Sequence, residues 1–149
     1  MSVNYTNKRR FFRLSFSNLL CAEMKLIPLE DIALKSRIWT IGIMDISGGG
    51  LRFLSPVKLP VEYRFLVEFK MSVLNEEYKL LGEIIRSSET ERYEYAVRFI
   101  SDDATQSKLV QMVNLLSVKF RKNVNLTSCN FCTDEQLQVL LGKTGSNRM

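Results

Sequence analysis

Histidine is absent from the 149 residues of this chain. Its absence removes Ser-His and Cys-His nucleophile pairs, histidine metal ligands and the side chain that usually shuttles protons near neutral pH. No other nucleophile pair, general base or metal set stands out in its place, so an enzyme is the poorest reading. Cysteine is scarce: Cys21, Cys129 and Cys132, an odd number that does not suggest a secreted disulfide framework. Cys129 and Cys132 have C-x-x-C spacing, but with no second pair and no histidine they make at most half a zinc site. The βαβ surroundings of a thioredoxin motif are missing too. No uninterrupted run approaches the ~20 apolar residues of a membrane span, and no apolar segment follows the polar, basic N-terminus as in a secretory signal. The cytoplasm is the expected location. Internal repeats and low-complexity segments are also lacking.

What is present describes an ordinary globular chain. Apolar residues make up 46% and charged residues 25%, which argues against global disorder. The length suits one domain with its own core. Lysine and arginine number 21 against 16 acids, a formal net charge of +5. Nucleic acid, a nucleotide or a membrane surface would each satisfy that excess.

The hydrophobic period is that of strands from Leu14 onward. Leu14, Phe16, Leu20 and Met24 predict a long first strand, with a bulge where Ser17 and Asn18 interrupt the alternation. Pro28, Glu30 and Asp31 mark its end. Further strands are expected from Ile38 to Ile46, from Leu51 to about Ser55, and from Phe65 to Val73, where Phe65, Val67, Phe69, Met71 and Val73 alternate with polar neighbours. A turn at Asn75 to Glu77 leads to a strand over Tyr78 to Arg86, and another turn leads to one over Tyr93 to Ile100. Six strands at short spacing with no helix between them predict a closed or nearly closed antiparallel barrel. The period then becomes 3.6. Leu109, Met112, Val113, Leu116 and Phe120 form one apolar stripe, with a capping candidate among Ser101, Asp102 and Asp103 and basic residues at the far end. This helix is expected to cover an opening or side of the barrel. Residues 123–130 read as a polar linker. Thr133 to Gln136 has the form of a capping box for a short second helix near 134–141, with Gly142 as its stop. Too short to be stable alone, that helix needs the barrel or a partner chain to pack on. Residues 143–149 read as disordered.

Two clusters carry the functional signal. The first is Lys8-Arg9-Arg10-Phe11-Phe12-Arg13, four cations in six residues. Alone it reads as a solvated leader or a nonspecific grip on phosphates. Arginine sharpens the reading, because a planar guanidinium can hold a phosphate through two bonds, fork onto the O6 and N7 edge of guanine, and stack on a purine. Phe11 and Phe12 are expected to anchor the leader to the barrel. The second cluster is Asp45-Ile46-Ser47-Gly48-Gly49-Gly50, at the turn between two strands. Successive glycines permit φ > 0 or close approach of another group, and Asp45 and Ser47, two apart, share one face. Alone it reads as a hairpin whose Asp and Ser bond their own turn backbone.

Together, Arg9-x-x-x-Arg13 before the first strand and Asp45-x-Ser47-x-x-Gly50 at the end of the second resemble the two signatures of the PilZ domain. PilZ domains are bacterial six-stranded barrels with a C-terminal helix that bind cyclic di-GMP. The resemblance covers about residues 8–122, and residues 123–149 lie outside it. It implies a flexible leader over 1–13, a barrel plus helix over 14–122 and an extension over 123–149. It further implies that Arg9 and Arg13 hold ligand phosphates and guanine faces, that Asp45 and Ser47 bond guanine edges or ligand oxygens, and that Gly50 leaves room for the ligand and the wrapping leader. Lys8, Arg10, Gly48, Gly49, Arg52, Arg86 and Arg98 form a second rank of candidates. Of these, Arg52, Arg86 and Arg98 read first as solvated charges. In this family a basic residue just before the first motif arginine tends to favour an intercalated pair of ligands; Lys8 stands there, and stoichiometry stays open.

The expectation is therefore a noncatalytic cyclic di-GMP receptor whose leader orders over the ligand and signals to a downstream protein or a second copy of itself. No cofactor, metal or DNA is expected. Two alternatives stand beside it: a PilZ-like interaction module that binds no nucleotide, and a small barrel that binds single-stranded nucleic acid through its basic patch and aromatics.

Overall fold

A computed structural model describes residues 11–29, 37–122 and 129–141. The expectations placed on Lys8, Arg9, Arg10, Glu30, Asp31, Gly142, residues 123–128 and residues 143–149 lie outside these. Six strands form: β1 (Leu14–Pro28), β2 (Ile38–Ile46), β3 (Gly50–Ser55), β4 (Phe65–Val73), β5 (Glu76–Ser88) and β6 (Tyr93–Phe99). They close into an antiparallel barrel in the order β1-β2-β3-β6-β5-β4.

The alternation read from the sequence is what fills the barrel. Phe65, Val67, Phe69, Met71 and Val73 on β4 all point inward, and the rings of Phe69 and Tyr95 lie 5.3 and 5.5 Å from that of Phe53. β1 carries the expected bulge, a register shift against β2 between Ser15 and Leu20 that leaves both Ser17 and Asn18 exposed, while Leu14 and Phe16 before it and Leu20, Ala22 and Met24 after it join the core. The turn before β5 sits slightly earlier than expected. Leu74 (φ 54°) and Asn75 (φ 63°) make it, and Glu76 already belongs to β5. Two central residues in the left-handed region are what a two-residue hairpin needs to match strand twist.

Inside the barrel the Tyr95 hydroxyl, fully buried, accepts from the Leu59 amide at 2.8 Å and donates to Glu89 at 2.8 Å. This ties the loop between β3 and β4 to the core. Burial first of all, opposed by the Leu59 bond, pushes the Tyr95 phenol well above its ordinary pKa. Among the described residues no buried side-chain polar atom lacks a partner.

Helix α1 (Asp103–Arg121) is capped by Asp102, whose carboxylate accepts from the Thr105 amide at 2.8 Å. Its buried residues are Leu109, Met112, Val113 and Leu116, the stripe seen in the sequence. Phe120 packs edge-on to Phe16 at 5.9 Å, and Lys108 reaches Glu76 at 3.0 Å over the Tyr78 ring. The helix thus lies across the barrel end where β1 begins and the β2–β3 and β4–β5 turns meet.

Helix α2 (Asp134–Leu141) has the full capping box: the Thr133 amide donates to Gln136 Oε1 at 2.8 Å, and the Gln136 amide to Thr133 Oγ1 at 3.2 Å. It packs on the barrel through Leu140, whose Cδ1 lies over Gly42 of β2 beside Leu19. Among the described residues no helix is long and apolar enough to cross a membrane.

Candidate functional site

Strict alternation from Ile41 and Ile43 would turn Asp45 into the core. β2, however, carries one extra residue against β3, so that Ile43 pairs with Phe53 and Asp45 with Arg52. The bulge at Met44 sends Ile46 inward, opposite Leu51, and brings Asp45 to the outer face with Arg52. The same register extends across the sheet: Arg52 pairs with Ala96 on β6, and Ala96 with Arg86 on β5. Side chains far apart in sequence thereby line up as one row on the barrel wall.

At its centre, Asp45 is only 2% exposed although it faces outward, because arginines cover it. Its Oδ2 accepts from Arg52 Nε at 2.7 Å, and its Oδ1 lies 3.9 Å from Arg13 Nε. Arg52 Nη1 donates to Glu94 Oε2 at 3.0 Å. The hydrogen bond to Asp45, above all, raises the Arg52 pKa beyond its ordinary value, so the guanidinium stays charged at any working pH. The expectation that Arg52 is a solvated charge therefore fails: the β2–β3 register puts two carboxylates within its reach. Arg98 likewise pairs with Glu83, its neighbour on β5. Arg86 lines the groove and has no ion-pair partner among the described residues. Glu94 was not singled out in the sequence, although the alternation of Tyr95 and Val97 on β6 turns Glu94, Ala96 and Arg98 outward together.

Two adjoining hollows flank this row. One of about 470 Å³ is lined by Arg13, Arg52, Arg86, Ser87, Ser88, Glu94 and Ala96. The other, of about 170 Å³, reaches Asp45, Ser47, Gly49, Gly50 and Arg98 as well as Arg13, Arg52 and Arg86. Four arginines thus face three carboxylates, Asp45, Glu94 and the Glu83 partner of Arg98, an excess of positive charge in a concave surface.

The turn itself divides the roles assigned to it. Ser47 does bond its own turn: its hydroxyl accepts from the Gly49 amide at 3.1 Å, and its amide donates to the Gly50 carbonyl at 2.9 Å. Asp45 does not. No described glycine lies in the left-handed region, so close approach rather than positive φ explains the glycine run. A Cβ on Gly50 would stand 2.1 Å from the Val97 carbonyl oxygen, which makes Gly50 the residue that lets β3 meet β6. Room for the leader lies instead at Gly48 and Gly49, where Cβ atoms would come within 3.1 and 3.2 Å of the Phe11 ring. Phe11 is the anchor that the sequence suggested; Phe12 is 55% exposed.

The model of the PilZ domain matches residues 7–115. The chain belongs to the PilZ domain family. Among solved structures it is similar to the PilZ domain of YcgR from Escherichia coli with c-di-GMP, at a TM-score of 0.58 and 18% identity over 78% of this chain and 97% of that one. The PilZ domain of CeSA from a cellulose-synthesizing bacterium gives 0.53 and 19%, over 71% and 98%. The inhibitor of motility MotI/DgrA of Bacillus subtilis gives 0.55 and 10%, over 76% of this chain and 52% of that one. At these identities the likeness concerns the fold. A search among curated proteins found no match. PilZ domains are noncatalytic receptors and adaptors for c-di-GMP.

Proposed function

We propose that this PilZ domain is a cyclic di-GMP receptor, with the row Arg13, Asp45, Arg52, Arg86 as the fixed half of its site and Lys8 to Arg10 as the half that closes over the ligand. The observation that carries this reading is the outward carboxylate of Asp45 set among arginines beside two hollows. A carboxylate can accept from the N1 and N2 donors of guanine, which no arginine can do, and the arginines complement the two phosphates. Arg52 holds Oδ2 and Arg13 stands 3.9 Å from Oδ1, so in this reading the base reaches the carboxylate as the arginines swing onto the ligand. In this reading Arg9 and Arg13 grip phosphates and guanine faces, Ser47 presents its hydroxyl at the turn, Gly50 lets β3 and β6 close beneath the ligand, and Arg98 lies at the rim. Ordering of the leader alters the surface shown to a downstream protein or to a second copy of the chain, in the bacterial cytoplasm.

Isothermal titration with cyclic di-GMP tests the reading. Heat of binding at micromolar ligand is expected, with affinity falling about 5- to 150-fold in Arg13→Ala, as befits loss of a contact of about 1–3 kcal/mol. A folded protein that gives no heat overturns the proposal and leaves an interaction module without nucleotide. Salt-sensitive binding to single-stranded oligonucleotides that survives Asp45→Ala would overturn it in favour of nucleic acid.

A further inference from the structure

β1 pairs with β4 only from Glu23 to Pro28, which leaves the backbone at Leu19 to Cys21 open on that side. The segment before α2 fills the gap. The Cys21 amide donates to the Asn130 carbonyl at 2.8 Å, the Cys132 amide donates to the Leu19 carbonyl at 2.8 Å, and Leu20 and Phe131 form the bridge between them. Leu20 and Ala22 face the core, so Cys21 faces outward, yet it is buried because residues 129–132 and α2 cover it. Across the bridge Cys21 and Cys132 lie diagonally on one face, where side chains two positions offset can touch. The Cys132 thiol and the Gln136 side chain lie within hydrogen-bonding reach of the Cys21 sulfur. Those contacts hold the Cys21 thiol below its ordinary pKa, the Cys132 contact contributing most, and push the Cys132 thiol up. Cys21 also lines an open groove of about 370 Å³ beside Thr40, Lys70, Asn130 and Gln136, a route for a small oxidant.

We propose that Cys21 and Cys132 are a peroxide-sensitive thiol pair that closes into a disulfide and locks residues 129–141 onto the barrel. The C-x-x-C spacing suggested Cys129 as the partner of Cys132, but the fold supplies Cys21 instead. The Cys21 thiolate attacks one oxygen of hydrogen peroxide; the O–O bond breaks, hydroxide leaves and takes up a proton as water, and Cys21 becomes a sulfenic acid. The Cys132 sulfur then gives up its proton and attacks the Cys21 sulfur; the S–O bond breaks, a second water leaves, and the S–S bond forms. Two thiols are oxidised by two electrons, and one peroxide is reduced to two waters. Cys132 lies outside the matched family region, residues 7–115, and Cys21 within it, and the pair does not depend on nucleotide binding.

The test treats the reduced full chain with a small molar excess of hydrogen peroxide, blocks remaining thiols with an alkylating agent, and maps the peptides by mass spectrometry. The expected product is a monomer lighter by two hydrogen atoms, with Cys21 joined to Cys132 and Cys129 alkylated. Cys129→Ser should form the same bond, and a thiol reductant should reverse it. In Cys132→Ser, oxidation should halt at a Cys21 sulfenic acid that a 1,3-diketone probe captures. A bond between Cys129 and Cys132, disulfides between chains, or a Cys21 that stays alkylatable throughout would overturn the proposal.

Discussion

On one stretch of the barrel wall Arg13, Arg52 and Arg86 gather around Asp45 and Glu94, with Arg98 paired to Glu83 at the rim; on another, residues 129–141 rest on β1 and β2 through two backbone bonds, a capping box and the buried Leu140. The first wall collects charges from β1, β2, β3, β5 and β6, and its geometry is as good as the strand register. The second is assembled from contacts that are individually neutral. Salt and strand spacing should therefore perturb the first wall, and local capping the second.

The largest effect is expected from Gly50→Ala. Its Cβ would meet the Val97 carbonyl at 2.1 Å, and a backbone atom cannot swing aside as a side chain does. Denaturant unfolding should show a loss of about 3 kcal/mol, at the upper end for overpacking, and the row from Asp45 to Arg86 should lose its register. A neutral Gly50→Ala would break the claim that strand spacing governs this wall.

Arg52→Ala should come next. It strands a carboxylate that is 2% exposed with only Arg13, 3.9 Å away, so a loss of about 2 kcal/mol is expected. Arg98→Ala is the internal control, because its partner Glu83 is exposed and such pairs contribute about 0.2–1 kcal/mol. Equal losses in the two variants, measured by urea unfolding at low and high salt, would erase the distinction between buried and surface pairing.

On the second stretch Thr133→Ala should remove about 1 kcal/mol, the usual contribution of a cap. Hydrogen exchange should report the loss in α2 with no change in the barrel and no dependence on salt.

The smallest effect concerns acid. The bond from the Thr105 amide holds the Asp102 carboxyl below the usual aspartate pKa. Its folded pKa is depressed, so its contribution is complete above the ordinary aspartate range and disappears as the pH falls through that range and below it. An acid titration of Asp102→Asn should differ from that of the parent only in this window, with the parent losing more stability.

Much of this was legible because strand and helix periods are local. The inward residues of β4, the bulge of β1, the apolar stripe of α1 and the capping box of α2 need no knowledge of distant chain. The pairing of Arg9-x-x-x-Arg13 with Asp45-x-Ser47-x-x-Gly50 gave the family for the same reason: each motif is short, and their order is linear. Arg52 was misjudged as solvated because its carboxylates arrive from other strands, whereas Arg98 is the solvated charge expected, in an exposed pair with Glu83. The reason for Gly50 lies on β6, and the partner of Cys132 lies on β1.

The sequence by itself determined six strands, two helices, the family and the outward direction of Arg52, since each follows from neighbours within a few residues. Tertiary structure alone decided that a one-residue bulge at Met44 turns Asp45 toward Arg52, and that a gap between β1 and β4 admits Cys132 beside Cys21. Both depend on register between segments distant in the chain, where a shift of one residue reverses every side chain.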